Sequence, residues 1–375
     1  MEIRGKITIV LVQMGTPRSL DVQSVRQYLK AFLGNRRVID KGGLLWKIFF
    51  YGFLLVIYPY FSLRKYQKLW RYKGISEGNS EKLSMIEDTK RLALKMHRNL
   101  HAVTEGRVSV RYAFLFCSPT LQELLAEKDS GSKLLFLPQF PQYSESTTAF
   151  IVDEIMKGFQ KRVNIPCFEV VTSFYDLPEW SSYIAKKIST ISALSARSKQ
   201  TEVLILSYHG IPRAQAEIKR DLYIAHCEAS TLKIRELLQD RFLLVLQTYH
   251  SKWGRGEWVT PSLQSVIEEI VLMKKYGKVS HITLFSPSFT VDSLETQIDL
   301  ECDVGEFMRK HGMGFTYVPA IGADDEWAHA YSEWLLRAYI GVVLFLITNS
   351  GGLSMPGYND GIIWKSVELI ANRLF

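Results

Sequence analysis

Two segments of the chain carry residues whose types and spacing can do chemistry. In the first, the apolar run Val203-Leu204-Ile205-Leu206 leads into SYHGIP (Ser207 to Pro212) and places His209 where a buried strand gives way to a loop. That is the end of a strand at which open α/β sheets bind ligands. In the second, ITLFSPSF (Ile282 to Phe289) leads into VDSLETQIDLECD, where Glu295, Asp299 and Asp303 recur every fourth residue and share one face of a helix. Like charges at that spacing repel by about 0.2–0.5 kcal/mol per pair, so a helix that keeps three in line has a cation beside it or passes protons. A histidine facing them makes a metal or proton-transfer site. Plainer roles exist for two of these residues. His209 could cap a carbonyl, and Asp292-Ser293-Leu294-Glu295 fits a capping box in which Glu295 satisfies the first helical amides. A cap accounts for neither Asp299 nor Asp303.

The elements that must position these residues alternate along the chain. Strand-like runs cover Ile7 to Val12, Val108 to Phe116, Lys133 to Leu137, Phe168 to Ser173, Val203 to Ser207, Leu243 to Thr248 and His281 to Phe285. Helical periodicity is clearest in Val22 to Leu33, Glu81 to Leu100, Pro178 to Ile191, Ala229 to Leu238 and Pro261 to Tyr276. This is an α/β pattern of parallel sheets covered by helices on both faces. LVQMGTP (Leu11 to Pro17) and LSYHGIP (Leu206 to Pro212) share one form, a strand followed by Gly-x-Pro, which hints at two similar halves.

The chain has 375 residues, 47% hydrophobic and 22% charged, long enough for two domains. Lysine and arginine (46) outnumber aspartate and glutamate (38) for a net charge of +8, a balance that draws anionic lipid, nucleic acid or acidic small molecules. No basic run and no nucleic-acid motif appear, so nucleic acid is not an expected partner. The widely spaced Cys117, Cys167, Cys227 and Cys302 read as reduced thiols. The apolar stretch at the start is too short for a signal-peptide core, so the protein is expected to remain in the compartment where it is made, the cytoplasm. Ile48 to Phe61 (IFFYGFLLVIYPYF) is apolar and aromatic, with Lys47 before it and Arg64 and Lys65 after, but it is shorter than the roughly 20 residues of a membrane span. It is either a buried helix or the lip of an apolar pocket that dips into a bilayer interface, with basic residues on lipid phosphates.

Set together, these segments resemble a ferrochelatase, the family that inserts Fe²⁺ into a porphyrin to make haem. The motifs fall in family order over about residues 7 to 335: VQMGTP, YLKAFLGNRRVID, YQKLW, LPQFPQYSESTTA, SYHGIP, YHSKWGRGEW and SPSFTVDSLET. The resemblance implies two Rossmann-like domains with an active cleft between them. The first would span 1–138, with about 320–337 returning to it, and the second 139–319; residues 338–375 form a tail of unknown role. It further implies His209 and Glu295 as catalytic and metal-contacting residues, and Asp299 and Asp303 as a path for protons leaving or for iron entering. Met14, Tyr143, Ser144, Thr147 and Trp253 would contact porphyrin. Met14, where the coproporphyrin-metallating branch usually has tyrosine, and the long apolar lip favour protoporphyrin IX. Fe²⁺ is then a substrate, no tightly bound cofactor and no iron–sulfur cluster are expected, and an anionic membrane surface is the expected partner.

The chain departs from the family pattern at several points. Leu115-Phe116-Cys117 stands where Arg-Tyr-Gly is usual, with Arg111-Tyr112 four residues earlier, so a porphyrin-contacting arginine is lost or displaced. His250 replaces a glutamine, Leu263-Gln264 a Thr-Asp pair and Gly322 an asparagine. These departures leave open a non-catalytic porphyrin or haem carrier of the same fold, or a chelatase for coproporphyrin or another tetrapyrrole.

Overall fold

The computed structural model describes residues 6–39, 43–74, 83–127, 132–193, 201–252, 256–274, 277 and 279–340. Its strands are β1 (Ile7–Gln13), β2 (Val108–Phe114), β3 (Lys133–Pro138), β4 (Phe168–Val170), β5 (Glu202–His209), β6 (Leu244–His250), β7 (His281–Phe285) and β8 (Gly314–Tyr317). Its helices are α1 (Val22–Leu33), α2 (Leu44–Phe49), α3 (Leu55–Tyr72), α4 (Ser84–Val103), α5 (Leu121–Ala126), α6 (Phe150–Phe159), α7 (Pro178–Ala193), α8 (Arg213–Glu217), α9 (Tyr223–Leu238), α10 (Leu263–Lys274), α11 (Val304–Lys310) and α12 (Asp325–Leu335). Segments of π winding lie at Phe50–Leu54, Glu145–Ala149, Glu295–Asp303 and Leu336–Ile340.

The strands form two parallel sheets of identical plan, β2-β1-β3-β4 and β6-β5-β7-β8. The internal echo in the sequence is therefore structural: β1 and β5 hold the same place in each sheet, and the Gly-x-Pro turns follow both. Their near-continuous apolar runs match strands buried on two faces. In the first sheet, Val10, Val12 and Phe136 meet Leu121 and Leu125 of α5 and Ile151 and Ile155 of α6. In the second, Val203, Ile205, Ile282 and Leu284 meet Ile267 and Ile270 of α10 and Val304 and Met308 of α11. The carboxyl ends of the two sheets meet at Thr290, which follows β7. Its hydroxyl donates to the Gln139 carbonyl at 3.1 Å and accepts from Gln13 at 3.5 Å.

The boundary drawn at residue 138 is corrected, because β4 pairs with β3 in the register Leu134↔Phe168 and so the first sheet runs on through Val170. The strand itself is read from the sequence, as Phe168 to Ser173, and is shorter in the structure; the sheet it joins is not legible locally. β8, an edge strand of four half-buried residues, carries too little pattern to announce itself. Residues 334–340 belong to a compact unit other than the one that holds both sheets; there the Trp334 and Tyr339 rings meet edge-on at 5.4 Å. Of the tail expected at 338–375, residues 341–375 lie outside the described residues.

The apolar lip is also longer than its sequence run. α2, the π turn and α3 form one helical rod, Leu44–Tyr72, long and apolar enough by length and composition to cross a membrane, which revises the reading that it is too short. Its faces differ. Leu45, Ile48, Phe53 and Phe61 are exposed, whereas Phe50, Leu54, Leu55, Tyr66, Leu69 and Trp70 are buried against Val25, Leu29 and Leu33 of α1. A rod held along one side by protein core reads as a lip rather than a lipid-surrounded span.

Candidate active site

His209 is the last residue of β5, and β6 ends beside it with His250 in register. A carbonyl only accepts, so the 2.7 Å contact between His209 Nδ1 and the Gly210 carbonyl means that Nδ1 carries a proton. The backbone N–H of Gly210 donates in turn to the His250 carbonyl at 2.7 Å. A Cβ at Gly210 would lie 2.8 Å from that carbonyl oxygen, which is why the turn needs glycine. The tautomer is thus fixed from behind, and Nε2 faces forward.

Nε2 lies 3.5 Å from Glu295 Oε2. Burial pushes Glu295 up, but His209, and further off His250 and Lys65, hold its carboxyl down at about 2. Burial likewise disfavours the His209 cation, and the Glu295 carboxylate more than offsets it, raising the imidazole above its ordinary value. The contact thus favours each partner in its charged form, imidazolium and carboxylate. His250 is driven the other way, to about 3, by burial and by the charge of His209; its Nδ1 meets the Ser207 hydroxyl at 3.0 Å and its ring stacks on Phe289 at 5.9 Å.

Glu295 is free to face His209 because the cap expected of it is made by others. Ser293 N donates to Thr296 Oγ1 at 2.8 Å and Thr296 N to Ser293 Oγ at 3.3 Å. Asp292 accepts from the Thr296 hydroxyl at 2.9 Å, from Tyr317 and from the Ala320 amide. The helix that follows is π-wound over Glu295–Asp303, a winding in which N–H groups reach back five residues rather than four. Asp299 and Asp303 do continue the line, but each meets a lysine of α3: Asp299 lies 2.8 Å from Lys65 Nζ and Asp303 2.5 Å from Lys68 Nζ. Lys65 is thereby corrected from a lipid contact to an ion-pair partner.

Across from this pair lies the apolar end of the first sheet. Half-buried Met14 follows β1 at the place His209 has after β5. Gly15, with φ of +89°, tucks beneath it so closely that a Cβ would lie 2.6 Å from Cys117 Sγ. Tyr28, Phe32, Phe116 and Phe150 form one ring cluster, with Tyr28 edge-on to Phe116 at 5.3 Å. Tyr28 hydrogen-bonds to Tyr66, and Tyr66 to Thr16. Burial and the nearby Glu295 charge raise both phenols, so they stay protonated.

The remaining sequence-predicted residues divide. Tyr143 stays half-buried, its backbone N–H on His226 Nδ1 at 3.2 Å. Thr147 donates to the Ser144 carbonyl at 3.5 Å. Ser144 is corrected as a porphyrin contact: it is buried, and its hydroxyl donates to Asp221 at 3.1 Å and accepts from Gln215 at 3.3 Å, which is a structural knot. Trp253 lies outside the described residues. Arg111 sits on β2, paired through both guanidinium nitrogens with Glu127 at 2.6 Å; Leu115, at the family's arginine position, packs against the core of the first sheet, and Phe116, at the tyrosine position, joins the ring cluster. Gln264 bonds Glu268 on an exposed turn of α10. Gly322 has φ of +65°, a conformation asparagine also tolerates, so that exchange preserves the backbone.

Tyr28, Tyr66, Phe116, Phe289 and Lys68 had no role assigned from sequence. Tyr28 and Tyr66 sat inside quoted motifs, but only the packing of α1 against α3 shows that they reach toward Glu295. Among the described residues, no three His, Cys, Asp or Glu side chains converge to hold a metal ion. An imidazole and one carboxylate suit a metal in transit better than a resident one.

The ferrochelatase family model matches residues 6–338. The coproporphyrin III ferrochelatase of Streptococcus mutans serotype c is 32% identical over 324 residues, covering 85% of this chain and 94% of that protein. A ferrochelatase of Rhodopseudomonas palustris (strain TIE-1) is 30% identical over 343 residues, 90% of this chain and 94% of that protein. Among solved structures, SirB from Bacillus subtilis with Fe3+ covers 91% of this chain at 12% identity and a TM-score of 0.49. The match runs through both sheets and through the His209–Glu295 pair, and the chain belongs to the ferrochelatase family, enzymes of tetrapyrrole metal chelation.

Proposed function

We propose that the chain inserts Fe²⁺ into protoporphyrin IX to form protohaem, in the cytoplasm and docked at an anionic membrane surface. The observation that carries the reading is the forward-facing His209 Nε2 on Glu295, opposite the apolar wall of Met14, Tyr28 and Phe116. Metallation replaces two pyrrole protons by one dication. Nε2 must be neutral to accept a pyrrole proton, and its contact with Glu295 favours the charged form. An arriving dication expels that proton by repulsion, and the freed imidazole then takes the pyrrole proton as the nitrogen–metal bond forms. A cleft that bends the macrocycle exposes the nitrogen lone pairs, so binding energy is used to approach the transition-state shape.

The wall supports protoporphyrin over coproporphyrin. Where an arginine would meet a carboxylate, Leu115 packs against the sheet core, and Phe116 beside it stands among rings, a surface that suits vinyl groups and leaves extra propionates unpaired. The relatives include coproporphyrin III ferrochelatases, so coproporphyrin III is the competing substrate. The test is anaerobic Fe²⁺ or Zn²⁺ insertion into each porphyrin, followed by absorbance. Faster turnover of protoporphyrin supports the reading. Preference for coproporphyrin III overturns the substrate, and tight binding without metallation of either overturns the reaction.

The lip supports membrane docking. Leu44 is 74% exposed, Leu45 83% and Phe53 55%, too much apolar surface on one rod to leave in water without a partner. Lys47, exposed Arg64 and the net charge of +8 add attraction to anionic headgroups.

A further inference from the structure

The lip interrupts its regular helical bonding on both sides of Leu55. Before it, Phe50–Leu54 is π-wound, and the Leu55 N–H closes that turn by donating to the Phe50 carbonyl. After it, Pro59 stands inside α3, at the position whose N–H would return to the Leu55 carbonyl, and proline has no N–H. Leu55 is buried, and a buried carbonyl left without a donor is costly. The donor comes from another helix: Arg26 of α1 donates from its guanidinium Nε to the Leu55 carbonyl at 2.9 Å.

One turn further along α1, Lys30 Nζ lies 5.7 Å from the centre of the Tyr51 ring. Arg26 and Lys30 thus hold α1 to the two sides of the junction between the outer arm of the lip, residues 44–54, and α3. Val25, Leu29 and Leu33 of the same helix also pack on Phe50, Leu54 and Leu55, but apolar contact is non-directional. A helix that changes winding and lacks a bond at one point bends there. A hydrogen bond to one carbonyl has a direction, so Arg26 sets the angle at which the arm leaves α3. The same stretch of α1 carries part of the cleft wall, since Tyr28 and Phe32 both meet Phe116 edge-on. Holding the arm to α1 therefore holds it to the wall. We propose that Arg26 is a positioning residue for the porphyrin, supplying to Leu55 the bond that Pro59 cannot make and so fixing the lip relative to Tyr28, Phe32 and Phe116. The inference rests on the proposed porphyrin substrate.

The test uses the full chain as wild type, Arg26→Met, Pro59→Ala and the two changes combined. Methionine keeps an apolar stem and removes the donor. Pro59→Ala restores an N–H to the helix, and the Leu55 carbonyl has lone pairs for both donors. Arg26→Met alone should raise KM for porphyrin in Zn²⁺ insertion about tenfold, with kcat and KM for Zn²⁺ unchanged, because the lip loses a hydrogen bond from a charged donor and spends less time in its binding position. Amide hydrogen exchange over residues 44–58 should quicken by about the same factor. In the Pro59→Ala background, Arg26→Met should change neither. Equal effects in both backgrounds would place the action of Arg26 elsewhere than at Leu55 and overturn the proposal, as would a lowered kcat at constant KM. If Arg26→Met alone does not fold, folding of the combined variant supports the proposal and its failure to fold overturns it. If wild type metallates no porphyrin, the proposed function fails while the exchange comparison still decides whether Arg26 holds the lip.

Discussion

Replacing Glu295 by glutamine separates what the His209–Glu295 pair does for the fold from what it does for the reaction. The charges stand 3.5 Å apart, worth about 1 kcal/mol in water and about 5 kcal/mol at the effective dielectric of a protein surface. Each side chain keeps more than a third of its surface open, 39% and 36%, so solvent holds the pair near the lower figure, about 1 kcal/mol. That stability has a pH window. His209 is raised above 6.5, so its share is full below 6.5 and is lost as pH rises through the folded value. Glu295 is lowered from 4.5 to about 2, so its share is present above 4.5 and is lost as pH falls through about 2. Glu295→Gln should therefore cost about 1 kcal/mol in urea unfolding between those limits and progressively less in alkali. Turnover should respond far more, falling about a hundredfold or more. The rise of the remaining activity with pH should move to lower pH, because burial without the carboxylate pushes His209 down. Wild-type kcat, or a pH limb that moves upward, would refute the assignment. A loss of several kcal/mol at every pH would show a dry pair rather than a solvated one.

Other outcomes follow from the same geometry. His209→Ala should abolish insertion and cost only about the 1 kcal/mol of the solvated pair, since the side chain is more than a third exposed at a strand end; near wild-type turnover would move the reaction elsewhere. His250→Gln should leave the pH profile of insertion where it is, because an imidazole held at about 3 carries no charge at working pH; a displaced profile would show that His250 titrates with His209. Gly15→Ala should destabilise by about 2 kcal/mol or more through left-handed strain and the Cys117 contact, read as a lower urea midpoint. In co-sedimentation with anionic liposomes, Leu45→Ser with Ile48→Ser and Phe53→Ser should release a protein that otherwise pellets at low salt. Leu54 and Leu55 must be spared, since both are buried; wild type remaining in the supernatant would reduce the lip to a pocket wall.

The parts of the molecule legible in the sequence are those whose signal is local. β5 and β1 show as apolar runs because both faces are covered, and His209 shows because a polar residue ends such a run. α1 shows through Val25, Leu29 and Leu33 at helical spacing and the Asp21 cap on the Ser24 amide. The illegible parts depend on partners distant in the chain. Nothing near Glu295 in sequence indicates that Ser293 and Thr296 relieve it of capping, and the pairing of Asp299 and Asp303 with Lys65 and Lys68 joins residues more than 230 positions apart. Ser144 misled because a hydroxyl in a cleft-wall motif reads as a ligand contact until Asp221 is seen to hold it.

The repeated sheet plan gives these details an order. Met14 and His209 occupy the same turn, the first residue past or at the end of equivalent strands, each followed by a glycine that a neighbouring atom crowds. The two turns set these side chains at the carboxyl ends of the two sheets, which meet at Thr290. The first repeat supplies a soft apolar contact and rings. The second supplies an imidazole whose back nitrogen is tied down and whose front nitrogen meets a carboxylate. A planar apolar ring that must give up protons needs both kinds of surface at once, and neither sheet alone presents them. The departures from the family pattern fall on the apolar side, at Leu115 to Cys117, on the outer turns, at Gln264 and Gly322, and beside His209 at His250, while the His209–Glu295 contact itself is in place. Variation of that kind is expected to change which porphyrin is held while leaving the proton transfer at His209 in place.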